Sequence, residues 1–185
     1  AHASTHYIHI TSASVYGFSV SPAAPLKTEA SPLVVSDRLY TASKVESHQW
    51  LRERMKMSRP FPITLLAPTI VWGPGDQAYI PRFIQLLREG QLMFFEDAKP
   101  VDFIYIDDLV EAVLRCLFNE RAYDQEFILT GPDTFRFEPY IQKIAEFAAL
   151  PLPKRRVSLR FALRMATLIE GVGRGIQIFH PQFRP

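Results

Sequence analysis

The sequence predicts an α/β protein built on a doubly wound parallel sheet, and three observations predict it. Short runs rich in β-branched and aromatic residues alternate with longer helical patterns. Clusters of glycine and proline separate the two kinds of segment. The first strand-like run, His6-Tyr7-Ile8-His9-Ile10-Thr11, ends directly in hydroxyl-bearing residues, at the strand end where open α/β sheets gather their chemistry. With 185 residues, 48% hydrophobic and 22% charged, the chain has enough apolar material for one sizeable core.

The elements follow in order. The first strand runs into Ser12-Ala13-Ser14-Val15-Tyr16-Gly17, and then into a connection from Phe18 to Ser36 that carries Pro22, Pro25 and Pro32 and reads as an exposed loop. A helix is expected from about Asp37 to Met57, with Asp37 as its cap and Pro60 beyond its end. Phe61 to Leu66 forms the next strand and enters a turn from Pro68 to Gly75. Ile80 to Glu89 is a helix ended by Gly90. Leu92 to Phe95 and Val101 to Ile106 read as strands, Asp107 to Phe118 as an amphipathic helix, Phe127 to Leu129 as a strand and Phe137 to Leu150 as a helix. Asp107 and Asp108 resemble a carboxylate pair, but a strand-to-helix junction makes capping the stronger expectation.

From Pro151 onward, Lys154, Arg155, Arg156, Arg160 and Arg164 accompany Leu159, Phe161, Leu163, Met165, Leu168 and Ile169. Such a basic, apolar helix over residues 154–169 could lie on an anionic membrane surface, although closing a substrate-binding region with solvated arginines is the favoured reading. Gly171-Val172-Gly173-Arg174-Gly175 follows a helical pattern and lacks fingerprint spacing, so it suits a helix end better than a phosphate cradle. The expected division is residues 1–150 as the main domain and 151–185 as its helix and tail.

Composition excludes several classes. A net charge of +2 is too small to imply nucleic acid, and no stretch of about 18 apolar residues suggests a membrane span. Cys116, the single cysteine, lies in an apolar helical pattern, which suits core packing and a reducing, cytoplasmic compartment. His2, His6 and His9 share no helical face and have no cysteine or carboxylate beside them, so no metal is expected. No serine is bracketed by glycines as in a nucleophile elbow, which disfavours hydrolysis, and Trp50 and Trp72 read as packing residues.

The chemistry concentrates in Tyr40-Thr41-Ala42-Ser43-Lys44, where a tyrosine and a lysine four positions apart share one helix face. A free phenol titrates near pH 10, and a fixed ammonium within roughly 4–6 Å favours the phenolate by about 1–3 units. The pairing can therefore serve proton transfer, although alone it also describes an ordinary exposed helix face. Ser12, at the end of the first strand, is placed where a substrate oxygen could sit against both its hydroxyl and the Tyr40 phenol.

Four segments resemble the extended short-chain dehydrogenase/reductases of the NAD-dependent epimerase/dehydratase superfamily, most closely the 3β-hydroxysteroid dehydrogenase type branch. They are Ser12-Ala13-Ser14-Val15-Tyr16-Gly17, Tyr40-Thr41-Ala42-Ser43-Lys44, Ala67-Pro68-Thr69-Ile70-Val71-Trp72-Gly73-Pro74-Gly75 and Val101-Asp102-Phe103-Ile104-Tyr105-Ile106-Asp107-Asp108-Leu109. They occur in the family's order and at family-like spacing, and the resemblance covers nearly all of the chain.

The resemblance implies the C-terminal half of a Rossmann-type sheet plus a small substrate-binding region. It implies Tyr40 as general acid/base, Lys44 as the residue that supports the phenolate and bonds the nicotinamide ribose, and Ser12 as the holder of the reacting oxygen. Pro68, Thr69 and Ile70 would lie against the nicotinamide of NAD or NADP. Ser12, Ser14, Val15 and Tyr16 would border the substrate, as would the loop from Phe18 to Ser36 unless that loop is only a surface connection. A homodimer is compatible with the family.

Two departures bear on this reading. The family's opening strand, glycine-rich turn and helix, which hold the pyrophosphate, are not in these residues, so the chain alone is expected to bind dinucleotide poorly, to be inactive and to self-associate. Val101 stands where sugar-nucleotide enzymes commonly have an arginine that grips a diphosphate, which points to a secondary alcohol or ketone on an apolar, sterol-like substrate. Ala67 also replaces a frequent arginine without choosing between branches. A nucleotide-sugar epimerase or dehydratase, or a catalytically silent binding protein, remains the alternative.

Overall fold

In the computed structural model, residues 5–17, 25–35, 37–58, 60–96, 101–132, 134–135, 137–158 and 161 are described. The chain divides into two compact units that interleave along the sequence: Ala1–Tyr79 with Pro100–Phe135, and Ile80–Lys99 with Arg136–Pro185.

In the first unit, β1 (Tyr7–Ile10), β2 (Ile63–Pro68) and β6 (Glu126–Leu129) form a parallel sheet in the order β1-β2-β6. The register pairs Tyr7 with Ile63 and Ile10 with Leu66 on one side of β2, and Leu65 with Glu126 on the other. All six residues of β2 are buried, as a central strand of a parallel sheet covered on both faces requires. Ile63 and Leu65 meet Leu51 of α1 (Leu39–Met55), while Leu66 on the opposite face meets Cys116 of α3 (Ile106–Cys116) and Ala122. The period-2 alternation of one strand thus builds two cores, one under each helix. Cys116 is a buried core residue whose thiol pKa is raised by that burial.

A second sheet joins β3 (Ile70–Trp72) to β5 (Val101–Tyr105) in parallel, and β5 to β7 (Thr134–Phe135) antiparallel. Gly131 lies against β5, its N–H donating to the Phe103 carbonyl at 2.7 Å, and a Cβ there would stand 2.7 Å from that same oxygen.

The second unit contains α2 from Ile80 onward (the helix spans Tyr79–Arg88), β4 (Phe94–Phe95), α4 (Phe137–Phe147) and β8 (Arg156–Val157), with β4 and β8 paired in parallel. Phe83 packs edge-on against Phe137 and Tyr140, at ring-centroid distances of 5.8 and 6.3 Å. Arg156 forks onto Glu138.

Several local expectations change. Arg38, not Asp37, occupies the α1 cap position, with an extended backbone and no side-chain cap bond. Tyr105 likewise precedes α3 without a side-chain cap, so Asp107 and Asp108 lie inside the first turn, where they face the helix dipole instead of capping it. The expected turn from Pro68 to Gly75 contains β3, because Ile70, Val71 and Trp72 find a partner in β5. Arg156 and Val157 form a strand where a basic helix was expected, and the rest of that helix, residues 159–160 and 162–169, lies outside the described residues, as do Gly171–Gly175, His2 and Pro22. Among the described residues no helix is long and apolar enough to cross a membrane.

Candidate active site

Three neighbouring pieces of the first unit carry the predicted residues. β1 ends at Ile10, and Ser12 then caps a 3-10 turn over Ala13–Tyr16. The Ser12 hydroxyl oxygen accepts from the Ser14 N–H at 3.2 Å and from the Ser14 hydroxyl at 2.9 Å. Having accepted twice, it keeps its own proton for an outside acceptor, and polarisation along such a chain makes it a better donor. The turn ends at Gly17, whose φ of 73° and ψ of 164° belong to a region held essentially by glycine.

Tyr40 and Lys44 stand together near the start of α1. The Lys44 ammonium lies 6.0 Å from the centroid of the Tyr40 ring and donates to the Ile10 carbonyl at 3.4 Å. Tyr40 is 63% exposed, so its phenol is open to solvent or a ligand. Ser43, on the same turn, donates back to the Tyr40 carbonyl at 2.8 Å. Among the described residues no hydrogen bond joins Ser12 to Tyr40 or Lys44; Lys44 instead bonds the Ile10 carbonyl, two residues before Ser12.

The remaining predicted residues divide. Thr69 follows β2, its N–H and hydroxyl both donating to the Leu129 carbonyl, at 2.9 and 3.2 Å. Pro68 is buried at the end of β2 and Ile70 pairs with Phe103, so this segment bridges the two sheets of the unit. Val15 and Tyr16, at 0% and 1% exposure, pack with Val45 and Ala67. Their side chains face the core, whereas Ser12 and Ser14 are only partly buried.

Beneath these residues lies a polar cluster that sequence reading missed. Glu126, first residue of β6, receives Tyr16, His48 and Arg52 together. The Tyr16 hydroxyl donates to its Oε1, His48 Nε2 lies 2.7 Å from the same oxygen, and Arg52 donates from Nε to Oε2 at 2.8 Å and from Nη2 to Oε1 at 3.0 Å. The Arg52 guanidinium also stands 5.7 Å over the Tyr16 ring and donates to the Glu29 carbonyl at 2.7 Å, while the Glu29 carboxylate accepts from the Ile128 N–H at 2.8 Å. Burial pushes the Glu126 carboxyl up to about 7, against the pull of the guanidinium. Burial first, then the charges of Arg52 and His9, lowers His48 to about 4. A neutral His48 facing a carboxylate donates from Nε2, which leaves Nδ1 as a buried acceptor without a hydrogen-bond partner among the described residues. The one available signal was spacing: Lys44, His48 and Arg52 recur every four residues and so share a helix face.

The chain is 28% identical over 126 residues to a UDP-glucose 4-epimerase of Vibrio cholerae, covering 67% of this chain and 38% of that protein. It is 25% identical over 128 residues to 3beta-hydroxysteroid-dehydrogenase/decarboxylase isoform 3 of Arabidopsis thaliana, covering 62% and 23% respectively. A solved structure of UDP-glucuronic acid 4-epimerase from Bacillus cereus, in complex with UDP-glucuronic acid and NAD, shares the fold with a TM-score of 0.63 at 21% identity, over 83% of this chain and 48% of that one. The matched region thus spans about half or less of the length of each. The family model described as NAD dependent epimerase/dehydratase matches residues 1–129, and the chain belongs to that family.

Proposed function

We propose that this chain carries the catalytic half of an NAD(P)-dependent oxidoreductase that interconverts a secondary alcohol and its ketone on an apolar, sterol-like substrate. The observation that supports it most is the Lys44 ammonium, held by the Ile10 carbonyl beside the exposed Tyr40 ring and two residues from Ser12. In the oxidising direction Ser12 donates a hydrogen bond to the substrate oxygen and Tyr40 accepts the hydroxyl proton, with the Lys44 ammonium 6.0 Å from its ring centroid. A nicotinamide dinucleotide supplies, when bound, the acceptor for the hydride that leaves the carbinol carbon. The residues fit its nicotinamide end: among the described residues one of three Lys44 donors is used on Ile10, and the other two could serve ribose hydroxyls. Pro68, the last residue of β2, with Thr69 and Ile70 would border the nicotinamide ring if the group were bound.

The test is Tyr40→Phe in the longest natural polypeptide carrying this sequence, followed by NADH or NADPH formation with a panel of secondary alcohols that includes sterols. Loss of about 100-fold or more in turnover is expected. Turnover equal to wild type would remove Tyr40 from the chemistry.

A nucleotide-sugar epimerase or dehydratase using the same trio is the second reading, favoured by the similarity to the Vibrio cholerae UDP-glucose 4-epimerase. Against it, Val101 at the start of β5 offers a diphosphate no guanidinium. Calorimetric binding of UDP-glucose that disappears on changing Val101 or Asp102, with the fold kept, would favour this second reading. A wild-type protein that turns over nothing in either panel would leave a binding protein.

A further inference from the structure

We propose that Glu126 is a positioning residue that joins the serine-bearing turn and the tyrosine/lysine helix into one body; the inference rests on Ser12, Tyr40 and Lys44 being the reacting trio. The trio comes from two separate pieces of chain, and the Ile10 carbonyl bond of Lys44, at 3.4 Å, is a long one. A stronger link lies underneath. Tyr16 closes the turn that begins at Ser12, and its hydroxyl ends on Glu126. His48 and Arg52 follow Lys44 at four-residue steps along α1, and both end on the same carboxylate.

Among the described residues the side chains that meet the Glu126 carboxyl group are those of Tyr16, His48 and Arg52, and they come from both pieces. Tyr16 and His48 are 1% and 0% exposed, and the Glu126 side chain 11%, so little water competes for these bonds. The Tyr16 and His48 rings also meet edge to face, at 5.9 Å between centroids, which fixes the turn against the helix in a second way. A buried carboxylate with a forked guanidinium has narrow geometric tolerance. Displacing it would tilt the turn relative to α1, and Ser12 relative to Tyr40.

Glu126→Gln keeps the shape but puts an amide donor where one acceptor oxygen stood, whereas Tyr16→Phe removes one hydroxyl and is the gentler variant should the first fold poorly. Backbone amide NMR of the longest natural polypeptide carrying this sequence reads both. The expected result is that Tyr16→Phe moves the Ser12 and Ser14 signals, and that Glu126→Gln moves these together with Tyr40 and Lys44. Lowered melting temperature with Ser12, Tyr40 and Lys44 signals unmoved would make Glu126 a stability residue only and overturn the proposal. In a turnover assay on the longest natural polypeptide carrying the sequence, Tyr16→Phe should lower kcat about tenfold with KM changed less than twofold; an unchanged kcat also overturns it. A wild type without turnover on either panel would sink the proposed function, leaving the NMR result to decide the positioning link.

Discussion

Lys44 donates from its ammonium to the carbonyl of Ile10, the last residue of β1, and so fixes the first turns of α1 to the strand end that feeds Ser12. A partly exposed hydrogen bond from a charged donor contributes about 1 kcal/mol or less net to stability. Its value lies in placement: the same ammonium stands over the face of the Tyr40 ring. Lys44→Met should therefore lower the melting temperature by only a few degrees while reducing turnover at least about 100-fold, a split that calorimetry and a hydride-transfer assay together would read. Equal losses in both would make Lys44 a structural residue.

Tyr40 and Leu65 should behave as opposites. Tyr40 is 63% exposed, so Tyr40→Phe is expected to change unfolding free energy by no more than about 0.5 kcal/mol. Leu65 is fully buried between α1 and the sheet, and Leu65→Ala should cost about 2–5 kcal/mol in urea denaturation.

Glu126 and His48 titrate against each other. The Glu126 carboxyl rises from an ordinary 4.5 to about 7, so the folded state holds a proton the unfolded state has released; that stability is full below 4.5 and lost as pH rises toward 7. His48 falls from 6.5 to about 4, so its contribution is full above 6.5 and lost as pH drops toward 4. Between about 4.5 and 6.5 the two slopes oppose, and together they should leave little net pH dependence from this pair. Glu126→Gln should unmask stability that rises with pH over that window, and His48→Gln stability that falls, each by at most about 1.4 kcal/mol per pH unit. Slopes of the same sign in both variants, read from melting temperatures across that range, would refute these opposed shifts.

Gly17→Ala tests the turn below Ser14. Its φ of 73° already disfavours a side chain, and an added Cβ would stand 2.8 Å from Val34 Cγ2. The Val34 N–H donates to the Val15 carbonyl at 2.8 Å, so the segment is held close and can yield only by moving. A loss of about 1–3 kcal/mol is expected in chemical denaturation, with the Ser12 amide signal displaced.

The alternation of strands and helices was legible because β2 and α3 are bounded by prolines and acidic residues and carry clear apolar patterns. The two- and three-residue strands β3, β4, β7 and β8 were not all legible, since only pairing across the fold defines so short a run. Tyr40 and Lys44 could be paired from spacing alone, as both sit on one helix. The Glu126 cluster could not: its members lie 74, 78 and 110 positions from the glutamate, and a lone glutamate opening an apolar strand reads as a solvated edge. The inward orientation of Val15 and Tyr16 was hidden for a similar reason, because a 3-10 turn has neither the period of a helix nor that of a strand.

Arg52 carries a consequence for how sequence variation at that position should be weighed. Its planar head reaches both oxygens of one acid and, with the same terminal nitrogen, a main-chain oxygen of Glu29. Exchange for lysine preserves charge, yet an ammonium is a single point and cannot span all three acceptors. A substitution scored as conservative would leave the proline-bearing connection held at Glu29, among the described residues, only through the Ile128 N–H, and so loosen a tie that charge alone does not restore.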